Sequence, residues 1–161
     1  MAEEPTDVRS PAVNFPPPLL FVIAIASGWA VEKKIPVPLS SLTSISTPPI
    51  VNWVLIIAGQ SLMVWGLVTF RLARTAVYPN QPATELVATG PYRFSRNPMY
   101  VGLTIMTAGV GLLADNIWIL MLLPVALTVI SSFVIQREET YLQHEFGAAY
   151  KDYQKRVRRW I

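Results

Sequence analysis

Apolar residues gather into four stretches, 19–31, 50–70, 99–114 and 117–135, separated by polar or proline-bearing segments. A helix rises about 1.5 Å per residue and a bilayer's hydrocarbon core is about 30 Å thick, so a spanning helix needs roughly 20 apolar residues. The second and fourth stretches meet that length. The third is shorter and crosses if its ends lean on neighbours or the bilayer thins around it. The first is shorter still: it spans in full with residues 15–18 added, and otherwise only in part. The pattern predicts an all-α, multi-pass transmembrane helical bundle of four spans, or three plus a partial one, with a cytosolic C-terminal helix.

Thirteen of the fourteen prolines lie outside these stretches or in a first turn, where a missing N–H costs little, and so support the boundaries. Pro124 alone lies inside one, which predicts a kink and a freed carbonyl near Leu120. Asp115 and Asn116 are the only polar break between the last two stretches, which must then form a tight helical hairpin. The run around Ala24-Ile25-Ala26 has some likeness to a cleaved signal, but Glu3, Glu4 and Asp7 precede it with only Arg9, the wrong charge for a signal's start. It is read as a retained helix. The expected organisation is one membrane domain over 1–161: a tail at 1–18, helices and linkers over 19–83, and a motif-bearing hairpin with its terminal helix over 84–161. The Ser-, Thr- and Pro-rich segment 34–49 is read as a surface connection.

Composition agrees with a membrane protein mainly through its low charge. Charged residues are 14% of the chain, against about 25% in an average globular protein, and mean hydropathy is +0.40. Thirteen bases against ten acids give a net charge of +3, too small an excess to argue for nucleic acid. With no cysteine, disulfides, thiolate zinc sites, cysteine nucleophiles and iron–sulfur clusters are ruled out; with one histidine, no metal site is expected. The bases are distributed unevenly. With four spans, the N-terminal tail, the 71–98 loop and the C-terminal tail share one side and hold one, four and six Lys/Arg, while Lys33 and Lys34 stand on the other. The positive-inside rule puts those eleven in the cytosol.

One motif is a decoy. Gly109-Val110-Gly111-Leu112-Leu113-Ala114 fits the dinucleotide pattern G-x-G-x-x-A, which requires a preceding strand and a following helix N-terminus. Here it lies within an apolar span, where small residues are better read as permitting close helix packing. The usual soluble dinucleotide or methyltransferase architecture is excluded on the same ground.

Two polar segments bracket the hairpin. The first, 89–102, leads into the third span with Asn97 as a helix N-cap and Pro98 in the first helical position. That leaves Tyr92, Arg93, Arg96 and Tyr100 without a structural reason for crowding at a membrane surface. A helix start beside arginines suits a carboxylate or another anion. The second, 137–153, leaves the fourth span with Arg137, Glu138 and Glu139. Adjacent carboxylates at a membrane boundary repel and are costly to desolvate, so they need partners or a cationic ligand. Leu142, Phe146, Ala149, Tyr150, Tyr153 and Val157 form one apolar helical stripe, with Gly147 interrupting or bending the helix. His144 reads as a solvated surface histidine. Lys151, Lys155, Arg156, Arg158 and Arg159 with Trp160 read as a lipid-headgroup anchor. One segment enters and the other leaves the same hairpin, so they meet. Together they describe a site for a zwitterionic, nucleoside-bearing ligand, open sideways to lipid.

These segments resemble the signature of the integral-membrane methyltransferases that include isoprenylcysteine carboxyl methyltransferases and phospholipid N-methyltransferases. Gly90-Pro91-Tyr92-Arg93, then Arg96-Asn97-Pro98 with Tyr100 and Gly102, then Glu138-Glu139 with Leu142, Phe146-Gly147 and Tyr150 carry the likeness, within residues 84–157. The resemblance implies S-adenosylmethionine as cofactor, with Tyr92, Arg93, Arg96, Asn97, Pro98, Tyr100, Glu138 and Glu139 around it. Arg137 and Glu138 are the implied catalytic candidates, Arg137 orienting the acceptor. Position 97 is Asn, as in the phospholipid enzymes, whereas Gly-Pro-Tyr-Arg and Phe-Gly-x-x-Tyr lean towards the carboxyl methyltransferases. The implied acceptor is lipophilic: a carboxylate of the isoprenylcysteine type, or alternatively a phospholipid or other amine. A carboxylate needs a cation to hold it, and an amine needs a base such as Glu138, Glu139 or His144. The rival readings are an NADPH-dependent membrane reductase relative and a non-enzymatic membrane adaptor. The expected partners are lipids and a lipophilic substrate, with no nucleic acid; oligomeric state is left open.

Overall fold

The computed structural model describes residues 16–42, 47–73 and 85–161. The extension of the first span to residue 15, part of the 34–49 connection and residues 74–84 of the 71–98 loop lie outside them. Every regular element in the described residues is helical. Helix α1 (Pro18–Glu32) starts on a proline in its first turn, α2 (Leu39–Leu42) is one turn long, and α3 (Pro49–Leu72) again opens on proline. A 3-10 turn, Gly90–Arg93, precedes α4 (Pro98–Leu113). Then α5 (Ile117–Val129) runs through a π-helical turn, Ile130–Ile135, into α6 (Gln136–Arg156).

Among the described residues two helical runs, Pro49–Leu72 and Ile117–Arg156, are long and apolar enough to cross a membrane, while Pro18–Glu32 and Pro98–Leu113 are shorter apolar helices. The 24 residues of α3 rise about 36 Å, and the 16 of α4 about 24 Å. Large apolar side chains stay exposed along the outer faces: Val22 and Ile23 on α1, Trp53, Ile57, Val64 and Val68 on α3, Met121 and Val125 on α5. Water opposes such an exterior and hydrocarbon accepts it. The chain folds as a helical membrane bundle.

Glycine seams set its closest contacts. Asn52, Gly59 and Gly66, seven residues apart, are buried along α3. A Cβ on Gly102 of α4 would lie 2.6 Å from the Gly59 carbonyl oxygen, and one on Gly109 would lie 3.0 Å from that of Asn52. The two backbones therefore touch, as small residues allow in membranes. Gly111 is likewise pressed on Leu120 across the hairpin. The glycines of the dinucleotide-like string are thus packing surfaces. A second contact core joins Phe21 of α1, Tyr100 and Leu103 of α4, Leu123 of α5, and Ile130, Val134 and Ile135 of the π turn.

The hairpin is as tight as the two-residue break requires. Asp115 takes a left-handed conformation (φ 49°), and the Asn116 side chain caps α5 by accepting from Ile119 N at 3.1 Å. The Asp115 carboxylate also accepts from Ser40 N at 2.8 Å and Ser40 Oγ at 2.6 Å, pinning α2 over the hairpin. Helix α5 is continuous through Pro124. The departure from α-helical winding falls later, at Ile130–Ile135, where no proline marks it in the sequence.

Candidate functional site

The site begins with Gly90. Its φ of 58° puts it in the left-handed region, and an added Cβ would meet Thr69 Oγ1 at 2.7 Å, so both conformation and space require glycine. The 3-10 turn that follows drives Tyr92 inward. Its ring stands edge-on to Phe70 at 5.0 Å, and its backbone carbonyl accepts from Tyr153 Oη at 2.7 Å. The Tyr92 hydroxyl is buried without a hydrogen-bond partner among the described residues. Burial foremost, then the neighbouring Tyr153 and Glu138, raises its pKa well above the usual phenol range, so it remains a donor.

The next residues strap this turn to the chain's end. Arg96 N donates to the Arg158 carbonyl at 2.9 Å, Asn97 Nδ2 donates to the Arg159 carbonyl at 2.9 Å, and Asn97 N donates to Ser95 Oγ at 3.0 Å. Asn97 therefore stands at the N-cap position but makes no side-chain cap bond, because its amide is taken by the C-terminal segment. Pro98 opens α4 as expected and is fully buried. Tyr100 lies in the first turn and donates from Oη to Glu138 Oε1 at 3.0 Å.

Glu138 and Glu139 leave the π turn into quite different surroundings. Glu138 keeps some exposed surface, yet protein atoms crowd around its carboxyl, and this burial pushes its pKa up to about 7. The Tyr100 hydrogen bond works against that rise and the Glu139 charge adds to it. Glu139 sits between two guanidiniums. Arg96 Nη1 lies 2.8 Å from its Oε1 as an ion pair, and Arg159 grips it with two bonds, Nε to Oε1 at 3.0 Å and Nη2 to Oε2. Arg96 Nε has no hydrogen-bond partner among the described residues.

Below them, Gly147 breaks α6 with φ 50° and ψ −118°, a conformation that L side chains avoid. The break turns the last part of α6 so that Tyr150, Tyr153 and Val157 are buried, with Leu142, Phe146, Leu86 and Ala88 packed on them. Ala149, expected in that stripe, is exposed, because the stripe does not keep helical phase across Gly147.

Of the residues expected at the site, Tyr92, Arg96, Asn97, Pro98, Tyr100, Glu138 and Glu139 gather around the start of α4. Arg93 and Arg137 do not join them: both are exposed, and the Arg93 guanidinium lies over the Phe94 ring at 5.8 Å. His144 is exposed. The expected headgroup anchor is corrected in part. Lys151, Lys155, Arg156 and Arg158 face outwards, but Arg159 turns in to Glu139 and Trp160 packs against the second core. Buried carboxylates attract the nearest guanidinium, and the backbone bonds of Arg158 and Arg159 bring this one within reach. Sequence reasoning missed Ser95, Tyr153 and Arg159. The one signal for Arg159 was the need of an acidic pair for cations, which does not choose among the basic residues near the C-terminus.

The orphaned Tyr92 hydroxyl and Arg96 Nε can donate to anionic or hydroxyl oxygens, and Glu138 can accept from an ammonium or a ribose. This donor and acceptor set fits an amino-acid-bearing nucleoside such as S-adenosylmethionine.

Residues 49–149 match the model of the family described as phospholipid methyltransferase. The nickel-cobalt-cadmium resistance protein NccN of Alcaligenes xylosoxydans xylosoxydans is 34% identical over 75 residues, 47% of this chain and 35% of that protein. The protein-S-isoprenylcysteine O-methyltransferase of Schizosaccharomyces pombe is 38% identical over 72 residues, 45% of this chain and 30% of that one. An uncharacterized protein of Haemophilus influenzae is 54% identical over 33 residues, 20% of this chain and 52% of its own length. The chain thus spans between about a third and a half of these relatives. No solved structure matches it. The family match takes in more than half the chain, including Tyr92–Tyr100 and both glutamates, and on that basis the chain belongs to the phospholipid methyltransferase family.

Proposed function

We propose that this chain is an integral-membrane enzyme that moves the methyl group of S-adenosylmethionine to a lipophilic acceptor, at a site on the cytosolic side of four spans. The observation that carries this reading is the pair of unpartnered buried donors before α4, Tyr92 Oη and Arg96 Nε, together with the enclosed Glu138 carboxyl bonded to Tyr100 in that helix's first turn. The family supports S-adenosylmethionine as the methyl donor, and the C-terminal basic excess supports the orientation.

When bound, the cofactor supplies a methyl group already made electrophilic by a sulfonium. The chain's own work is positioning and the exclusion of water. Arg96 and Tyr92 hold anionic and hydroxyl oxygens. Glu138, kept in place by Tyr100, takes the cationic side. Pro98 and the buried tyrosines wall the site.

The acceptor divides between two chemistries. A carboxylate, ionised throughout the neutral range, needs no base and is held by Arg137, which is exposed one residue from Glu138 and free to meet a group arriving along the membrane. An amine must lose a proton first, and Glu138, with its pKa near 7, is suited to accept it. Rates at saturating cofactor tell them apart: flat from roughly pH 6 to 9 for a carboxylate, rising with pH for an amine of reference pKa near 10.

Calorimetric titration of the detergent-solubilised protein with S-adenosylhomocysteine, and separately with NADPH, tests the reading. Binding of S-adenosylhomocysteine is expected. Binding of NADPH alone would move the chain to the reductase class, and binding of neither would make it an adaptor.

A further inference from the structure

Seen from its charges, the heart of the site is a three-member cluster. Glu139 is shared by Arg96, from the loop before α4, and Arg159, from the segment after α6. Two guanidiniums and one carboxylate leave a single net positive charge. Without Arg159, Glu139 would keep only its ion pair with Arg96 and lose the two bonds that fix its carboxylate in place. Arg159 is also the best-placed member. Its two bonds to Glu139 form a planar fork, its carbonyl accepts from Asn97 Nδ2, and the preceding carbonyl, of Arg158, accepts from Arg96 N. The same terminal segment therefore fixes both the backbone of Arg96 and the counter-charge beside its guanidinium. Arg96 keeps a donor, Nε, that no group among the described residues uses.

Resting on the cofactor reading above, we propose that Arg159 is a positioning residue: through Glu139 it keeps the Arg96 guanidinium oriented towards the carboxylate end of an amino-acid-bearing nucleoside. Glu139 is then the bridge of the device and does not itself touch the ligand. Bidentate geometry matters here, because lysine would return the charge without the fork. Arg159 lies outside the residues that carry the family match, so this contribution belongs to the chain's end.

Calorimetry with two nucleosides tests this on the full-length protein. S-adenosylhomocysteine carries the amino-acid carboxylate, and 5′-methylthioadenosine shares its nucleoside and thioether but lacks that group. Arg159→Ala should weaken S-adenosylhomocysteine about tenfold and change methylthioadenosine less than about twofold, the loss of one charge-assisted contact. Arg159→Lys should recover part of the loss. Because Arg159 acts through Glu139, adding Arg159→Ala to Glu139→Gln should cost no further affinity, a non-additivity expected of one network. Equal losses for both nucleosides would make Arg159 a support of the fold only. Unchanged binding of S-adenosylhomocysteine, or additive losses in the double variant, would equally overturn the proposal. A wild-type protein that binds neither nucleoside removes the cofactor reading, and this inference with it.

Discussion

At the scale of single residues, Glu138 is the group whose chemistry depends most on its surroundings. Burial raises its pKa from 4.5 to about 7. The folded state thus holds a proton that the unfolded state has released between those values. Its contribution to stability is full below about pH 4.5 and is lost as pH rises through 7, a swing of about 3 kcal/mol at 1.36 kcal/mol per unit. Thermal unfolding of the ligand-free protein in detergent should show this decline across pH 5 to 7, and Glu138→Gln should abolish it. Ligand binding should run the opposite way. A cation or ribose on Glu138 favours the carboxylate, so affinity for S-adenosylhomocysteine should fall as pH drops below 7, with a proton released on binding at pH 6. Titrations in two buffers of different ionisation enthalpy measure that proton. Glu138→Gln should weaken binding by about 1.5–3 kcal/mol, the range for a hydrogen bond to a charged group.

At the scale of elements, two departures from regular helix decide what the site contains. The π turn at Ile130–Ile135 changes the phase of α6 relative to α5. Such turns are an extra residue in a helix and are common at functional sites. Deleting Ser132 should restore α winding and rotate α6 by about 100°, the angle per residue. Glu138 would leave Tyr100, so binding should be lost while circular dichroism stays helical; retained affinity would show that the π turn has no part in the site. Gly147 is the second departure. Gly147→Ala forces a side chain into a conformation open in practice only to glycine, at a cost of about 1–3 kcal/mol. The segment holding Tyr150 and Tyr153 depends on that bend, so the midpoint of thermal unfolding should fall and S-adenosylhomocysteine affinity with it.

At the scale of the whole molecule, the bundle is held by backbone contacts that admit no side chain. Gly59 and Gly102 face each other, and Gly102→Leu should prevent α3 and α4 from closing, leaving little protein that survives detergent extraction as a monodisperse species. The proposed orientation rests on the distribution of basic residues. Reporters fused after Glu85 and at the C-terminus should both lie in the cytosol. An external report from either would place the two halves of the site on opposite sides of the membrane, where Tyr100 and Glu138 could not meet.

Much of this architecture was legible in the chain itself. Long apolar runs have few choices, since in hydrocarbon every backbone N–H and C=O must be satisfied within the helix, and Asp115-Asn116 leaves room only for a hairpin. The meeting of the two polar segments followed from that hairpin, because connected antiparallel helices return their ends to one side. Individual pairings were a different matter. The acidic pair was recognisable, but adjacent positions on a helix point about 100° apart, and only the tertiary structure gave Glu138 to Tyr100 and Glu139 to two arginines. The cap signature at Asn97 was local and correct in position, yet a distant carbonyl claimed its side chain. The π turn and the inward fold of Arg159 left no sequence pattern at all. Periodicity and punctuation act over a few residues and so fix elements; which charged group a buried carboxylate meets depends on contacts twenty to forty residues apart, and packing alone decides them.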